Sequence, residues 1–220
     1  MNIEPPRLAR LPVRGYNVKR TTRHSRRTQL IQMQKITIIA KPKPPTRAEL
    51  EAARGKTLKD VIRPGLDVLF VGINPGLYTA AIGHHFGRPG NRFWPALNAS
   101  GLLRAPLTPY ESRRLLESNV GITNIVDRAT AAAAELTREE LRRGARRIEK
   151  RILRYKPRQA AFLGLGLYRD AFDRPEARVG LQRETIGRTL LWVFPNPSGL
   201  NAHFQVPDYV RLFRLLASPP

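Results

Sequence analysis

From Asp67 to the C-terminus, short apolar runs alternate with helical patterns, and this alternation constrains the fold more than any other feature of the chain. Strands are expected at 67–72, 121–126, 159–164 and 189–194. Each is short, mainly apolar and bounded by Gly, Pro or Asn, the pattern of a strand buried on both faces. Helical patterns lie near 91–100, 110–118 and 137–155. In the third, Thr137 and Glu140 form a Thr-x-x-Glu capping box. Leu141, Ala145, Ile148 and Ile152 then recur at helical spacing, and Pro157 ends the helix. A last helix is expected to begin at Pro207 and to bury Tyr209, Leu212, Phe213 and Leu216. Alternating strands and helices imply an α/β fold: three α/β/α layers around a central, mainly parallel twisted sheet of about four strands.

Residues 1–58 do not share the alternation. They are rich in Arg and Lys, poor in acid, and include Lys41-Pro42-Lys43-Pro44-Pro45. The expectation is a basic N-terminal extension over 1–58, largely disordered through residue 46, with a semi-rigid proline linker. One domain then covers 59–220. Ile36-Thr37-Ile38-Ile39 is a candidate short strand inside the extension. Three readings of the arm stay open: a set of added phosphate contacts, a targeting segment, or residues upstream of a start at Met33.

The net charge of +22 favours a polyanionic partner. Nucleic acid leads, and an anionic membrane surface is the competing reading. No apolar run reaches the roughly 18 residues needed to span a bilayer. The absence of cysteine excludes disulfides, thiolate nucleophiles, Fe–S clusters and cysteine-based zinc sites. The four histidines are His24, His84, His85 and His203. Adjacent His84 and His85 cannot share a helix face, and no carboxylate stands near them at ligand spacing. No metal site is expected.

Two of the expected strands end alike. Val68-Leu69-Phe70-Val71 runs into Gly72-Ile73-Asn74-Pro75-Gly76. Leu190-Leu191-Trp192-Val193-Phe194 is closely followed by Asn196-Pro197-Ser198-Gly199-Leu200-Asn201. Ligands of open parallel sheets bind beyond the carboxyl ends of the strands. Each loop places an Asn there, with a rigid Pro after it and a Gly that permits close approach. An Asn in such a turn can equally bond its own backbone. After the first loop comes Gly83-His84-His85-Phe86-Gly87-Arg88-Pro89-Gly90-Asn91-Arg92-Phe93-Trp94, loop-like until Asn91, which is placed to cap the next helix.

Read in order, Gly-Ile-Asn-Pro-Gly, Gly-x-x-Phe, Pro-Gly-Asn-Arg-Phe-Trp and Asn-Pro-Ser-Gly-Leu-Asn resemble the mismatch-specific uracil/thymine DNA glycosylase family over residues 60–216. The resemblance implies hydrolysis of the N-glycosidic bond of a deoxyuridine or mispaired thymidine, leaving an abasic site. The implied partner is double-stranded DNA containing G:U or G:T mismatches. The implied enzyme is a monomer that needs no cofactor, working in the cytoplasm and nucleoid of a bacterium; in a eukaryote the arm could be an organelle address. The bond is unreachable inside a duplex, so the nucleotide must be flipped out, at a cost of a few kcal/mol that is smaller for a mismatch.

The same resemblance assigns roles. Asn74 holds the attacking water; an amide positions water but cannot deprotonate it. Asn196 hydrogen-bonds the base or orients the water. Backbone N–H groups from Ile73 to Gly76 and near Phe86 stabilise the departing pyrimidine anion. Phe86 stacks on the flipped ring, worth about 1–3 kcal/mol; in isolation it would read as a core aromatic. Gly199-Leu200-Asn201 reads as a wedge, with Ser198 among the DNA-binding residues: Leu200 fills the gap in the stack, and Asn201 or nearby main chain touches the orphaned guanine. The bland alternative is a tight turn with a buried Leu. Asn91 is placed with the DNA-binding residues. Ala202 stands where the family often has Arg, which weakens the grip on the opposite strand, and His203 is the candidate substitute. Gly76 stands near the place of a Tyr that excludes the thymine methyl group in strict uracil glycosylases. It leaves room, and Tyr78 and Thr79 narrow the pocket again.

The first motif lacks a carboxylate. Asp127, just beyond the second expected strand, is the candidate auxiliary base or cation stabiliser; its alternative role is a turn acid paired with Arg128. No motif block contains a Lys, so a monofunctional enzyme without a Schiff base is expected. Two rivals remain: a broad-specificity uracil glycosylase acting on single and double strands, and a non-catalytic basic DNA-binding protein on the same fold.

Overall fold

The computed structural model describes residues 43–218, and the candidate strand at 36–39 lies outside them. Five strands form one sheet: β1 (Val68–Gly72), β2 (Val120–Asn124), β3 (Gln159–Leu163), β4 (Gly180–Ile186) and β5 (Thr189–Phe194). Their order is β2-β1-β3-β5-β4. The first four in that order are parallel, and β4 runs antiparallel to β5. The expected count of four therefore falls one short. β1, β2 and β3 are buried at every position, and β5 at all but one. In β4 every second residue is exposed. An edge strand facing solvent does not need an apolar run, so Gly-Leu-Gln-Arg-Glu-Thr-Ile carries little strand signal.

Helices cover both faces. α1 (Arg47–Glu51), α2 (Leu77–Ile82), α3 (Phe93–Ser100), α4 (Arg138–Tyr155), α5 (Leu165–Phe172) and α6 (Val206–Arg214) are joined by a 3₁₀ segment at Pro109–Ser118 and shorter turns. α3 and α6 pack on one face around Phe70, Phe93, Phe194 and Phe213. α4 and α5 pack on the other around Leu69, Val71, Ile148 and Phe162. The Thr137–Glu140 capping box opens α4, and Leu141, Ala145, Ile148 and Ile152 are its buried stripe. Gly144 joins that stripe for a steric reason: a Cβ there would lie 2.3 Å from the Ile125 carbonyl oxygen.

The folded unit reaches back to Pro44, so the expected boundary at residue 59 falls inside it. A second capping box, Thr46 with Glu49, starts α1. Ala53 is fully buried with Ala80 and Ala129. Thr57 and Val61 bridge Arg128 and Ile122, so this segment runs along β2. The anchoring residues are small and isolated, which is why the stretch reads as part of a polar arm.

The chain moves from β1 to β2 on one side and returns to β3 on the other. Where the strand order reverses, the loops diverge and leave a crevice at the carboxyl ends.

Candidate functional site

That crevice is a cleft of about 460 Å³ whose walls come from the ends of all four parallel strands. It gathers Asn74, Phe86, Asn91, Asn124, Asn196 and Leu200, so the separate sequence blocks converge. A larger depression, about 960 Å³, lies at the opposite edge between the end of α4 and the β4–β5 turn. It contains none of these residues.

Asn74 follows β1 and is held by its amide hydrogens. Its Nδ2 donates to the Arg128 carbonyl at 3.1 Å, to the Pro75 carbonyl at 3.2 Å and to Thr130 Oγ1 at 2.7 Å. Carbonyls can only accept, so the amide cannot be turned around. Thr130 Oγ1 in turn donates to the Ala132 carbonyl at 2.8 Å. The arrangement leaves Asn74 Oδ1 as an acceptor with no protein partner among the described residues. An atom so placed can hold a water by one of its hydrogens. The N–H groups of Asn74, Gly76 and Phe86 also donate to no other described protein group.

Asn124 closes β2 and faces the same cleft. Its Nδ2 lies 3.5 Å from His85 Nδ1. His85 Nε2 lies 3.1 Å from the Lys59 carbonyl, which fixes the proton on Nε2 and leaves Nδ1 as an acceptor. Burial also holds His85 below the ordinary histidine range, favouring the neutral ring. Among the described residues Asn124 Oδ1 has no protein partner, and it lies beside Phe86 and above Gly72, where a Cβ would come within 2.4 Å of it. Behind β2, Thr123 donates to Asp60 at 2.8 Å, and Arg151 pairs with Asp60 at 3.3 Å.

Phe86 takes a left-handed backbone, φ 53°, and stacks on Phe93 with centroids 4.1 Å apart. Phe93 covers one face, and the rest of the ring forms part of the cleft wall. Asn196 is tied to its own turn, its Oδ1 accepting from the Ser198 N–H at 3.1 Å. Its Nδ2 makes no hydrogen bond among the described residues and remains to serve the cleft. The backbone-bonding role and the cleft-lining role thus coexist in one side chain. Ile73, Gly76 and Thr79 line the cleft; Tyr78 does not. A Cβ on Gly76 would meet nothing within 4 Å.

Leu200 is 81% exposed, which removes the reading of a buried turn Leu. Ser198 lines the cleft beside it, and Gly199 is exposed in the same turn. Asn201 differs from expectation. Its Nδ2 donates to the Asn196 carbonyl at 3.1 Å and to Tyr209 Oη at 3.2 Å, and its Oδ1 accepts from the His203 N–H at 3.1 Å. Both ends of the amide are occupied, by its own loop and by α6, so this side chain shapes the turn that carries Leu200. His203 is exposed but outside the cleft lining. Asn91 Oδ1 accepts from the Phe93 N–H at 2.9 Å, but the N-cap of α3 is Arg92, one residue later than expected.

Asp127 is a correction. Its carboxylate turns toward α4, 3.5 Å from Arg147 and 3.5 Å from Arg151, and it borders a separate shallow depression. Nor does it pair with Arg128, whose guanidinium binds Glu140 through two contacts at 2.6 and 3.0 Å. The β2–α4 connection bends just before Asp127, and the arginine face of α4 draws the acid to itself. Among the described residues no carboxylate lines the cleft. No three His, Asp or Glu side chains among them gather in metal-ligating geometry.

Three contributors were missed from sequence. Asn124 had a usable signal, a polar residue closing an otherwise apolar strand at the ligand-binding edge. Thr130 had none, standing in an alanine-rich stretch. His85 was weighed only as a metal ligand.

The profile of the Uracil DNA glycosylase superfamily matches residues 59–215. The solution NMR structure of a candidate uracil DNA glycosylase from Methanosarcina acetivorans superposes with a TM-score of 0.51. The alignment covers 74% of this chain and 98% of that chain at 17% identity, a likeness that speaks for the fold alone.

Proposed function

Because the chain belongs to the uracil DNA glycosylase superfamily, we propose that it is a monofunctional DNA glycosylase that removes uracil, and thymine, from mismatches with guanine. The orientation of Asn74 carries this reading. With its amide hydrogens spent on Arg128, Pro75 and Thr130, its oxygen is left to hold the attacking water. The bond from C1′ to the pyrimidine nitrogen breaks heterolytically. The electron pair leaves with the base, water oxygen bonds to C1′, and a proton is released. With no carboxylate among the described residues of the cleft, the reaction depends on a leaving base stabilised by N–H donors and on water already in place.

Asn124 supports an imide base. Its Oδ1 is an acceptor suited to the N3–H of uracil or thymine, whereas N3 of cytosine is itself an acceptor. The open space at Gly76 supports tolerance of a 5-methyl group. One observation favours the broader uracil enzyme as second reading: Asn201 is spent inside its loop, leaving less side chain to touch an opposite guanine.

Cleavage of duplexes holding U:G, T:G or U:A, and of single-stranded uracil, tests both readings by alkali scission of abasic sites. Preference for U:G and T:G, lost in Asn74→Ala, is the expected result. Equal cleavage of all uracil substrates with no action on T:G selects the broad enzyme. No cleavage by folded protein leaves the non-catalytic DNA-binding reading.

A further inference from the structure

Resting on the glycosylase reading, we propose that Arg88 is a phosphate-binding residue that grips the DNA backbone beside the flipped nucleotide. Arg88-Pro89-Gly90-Asn91 is a closed β-turn, with the Asn91 N–H donating to the Arg88 carbonyl at 3.1 Å. Pro at the second position and Gly90 at φ 80° at the third are what a type II turn requires. The turn is pinned to the wedge loop. The Arg92 N–H donates to the Pro197 carbonyl at 2.9 Å, and the Arg92 guanidinium to the Ser198 carbonyl at 2.6 Å. Gly199 sits so close that a Cβ there would be 2.9 Å from the Gly90 oxygen.

Arg88 therefore stands on a rigid support at the rim of the cleft that it shares with Leu200. The two arginines of this segment differ in what is left to them. Arg92 is engaged with Ser198, while the exposed Arg88 side chain makes no ion pair or hydrogen bond among the described residues. Among the described residues no acid lines the cleft to compensate its charge. The cleft floor is built of neutral amides, suited to a neutral base. The anionic group that must accompany that base past the rim is the phosphodiester. A guanidinium fork binds it through paired, charge-assisted hydrogen bonds.

The test is equilibrium binding to a U:G duplex carrying a 2′-fluorinated, non-cleavable deoxyuridine, titrated over a range of salt. Wild type is compared with Arg88→Gln and Arg88→Lys. Arg88→Gln is expected to weaken binding about tenfold. It should also reduce the slope of log affinity against log salt by about 0.9, one phosphate contact. Arg88→Lys should keep the slope. An unchanged slope in Arg88→Gln overturns the proposal, whether or not affinity falls; so does an equal loss of slope in both variants. If wild type binds the duplex but cleaves no uracil, the enzymatic reading fails, while the slope still decides the phosphate contact.

Discussion

Asn74 owes its orientation to two carbonyls and one hydroxyl, and the hydroxyl is the part that can be altered without moving the backbone. Thr130→Val should lower single-turnover cleavage about tenfold with little change in affinity, and Thr130→Ser should restore it. Asn74→Ala should cost about 10²-fold or more. Asp127→Asn, by contrast, should leave cleavage within about twofold and slightly lower the thermal midpoint, because its partners are Arg147 and Arg151. His85 adds a pH dependence. Burial depresses its folded pKa below 6.5, so the unfolded chain takes up the proton first. Its contribution to stability is complete above that value and declines as pH falls through it. Protonation would also turn His85 Nδ1 into a donor, opposing the Asn124 orientation. The thermal midpoint should decline below about pH 6.5, and uracil cleavage only at the lower pH where the folded ring itself takes up a proton. His85→Gln should remove that pH step; a step of the same size in the variant would assign it to another group.

At the scale of elements, α4 does two jobs. Its apolar stripe covers one face of the sheet, and its first turn holds the loop that carries Thr130. Glu140 caps Thr137 and binds Arg128 through two contacts, which lowers its pKa to about 2. The sign is that of a depressed carboxylate: the stabilisation is complete above about pH 4.5 and disappears as pH falls toward 2. Acid unfolding of Glu140→Gln, followed by circular dichroism, should lack that component. Gly144 sets how closely α4 approaches the end of β2. Gly144→Ala would force the Ile125 carbonyl away and should cost about 1–3 kcal/mol in chemical denaturation, despite the better helix propensity of Ala. The cationic face of α4 is partly consumed, since Arg142, Arg143, Arg147 and Arg151 all pair with acids.

For the molecule as a whole, charge is distributed unevenly along the chain. Residues 1–42 contain ten Lys or Arg and one acid. Removing them should weaken duplex binding and flatten its salt dependence while leaving the saturated cleavage rate unchanged, which anisotropy and single-turnover assays would separate. Unchanged binding would return the arm to a targeting or non-functional reading.

The layers and the four parallel strands were legible because strands buried on both faces must be apolar and turns at their ends need Gly, Pro or Asn. Those requirements act over a few neighbouring residues, so they leave a local trace. The same holds for the exposed turn at Leu200, where Ser-Gly-Leu-Asn puts an apolar side chain on a turn. The fifth strand left no such trace, since half of it faces water. What each polar group of the site can do was decided only in three dimensions. Asn74 depends on Thr130, Asn124 on His85 and Lys59, Asn201 on Tyr209, and Asp127 on α4. A hydrogen bond between residues distant in sequence leaves no periodicity behind. The sequence by itself determined the layers, the four parallel strands and the motif residues that meet at the cleft. The tertiary structure alone decided which of their atoms remain free to act.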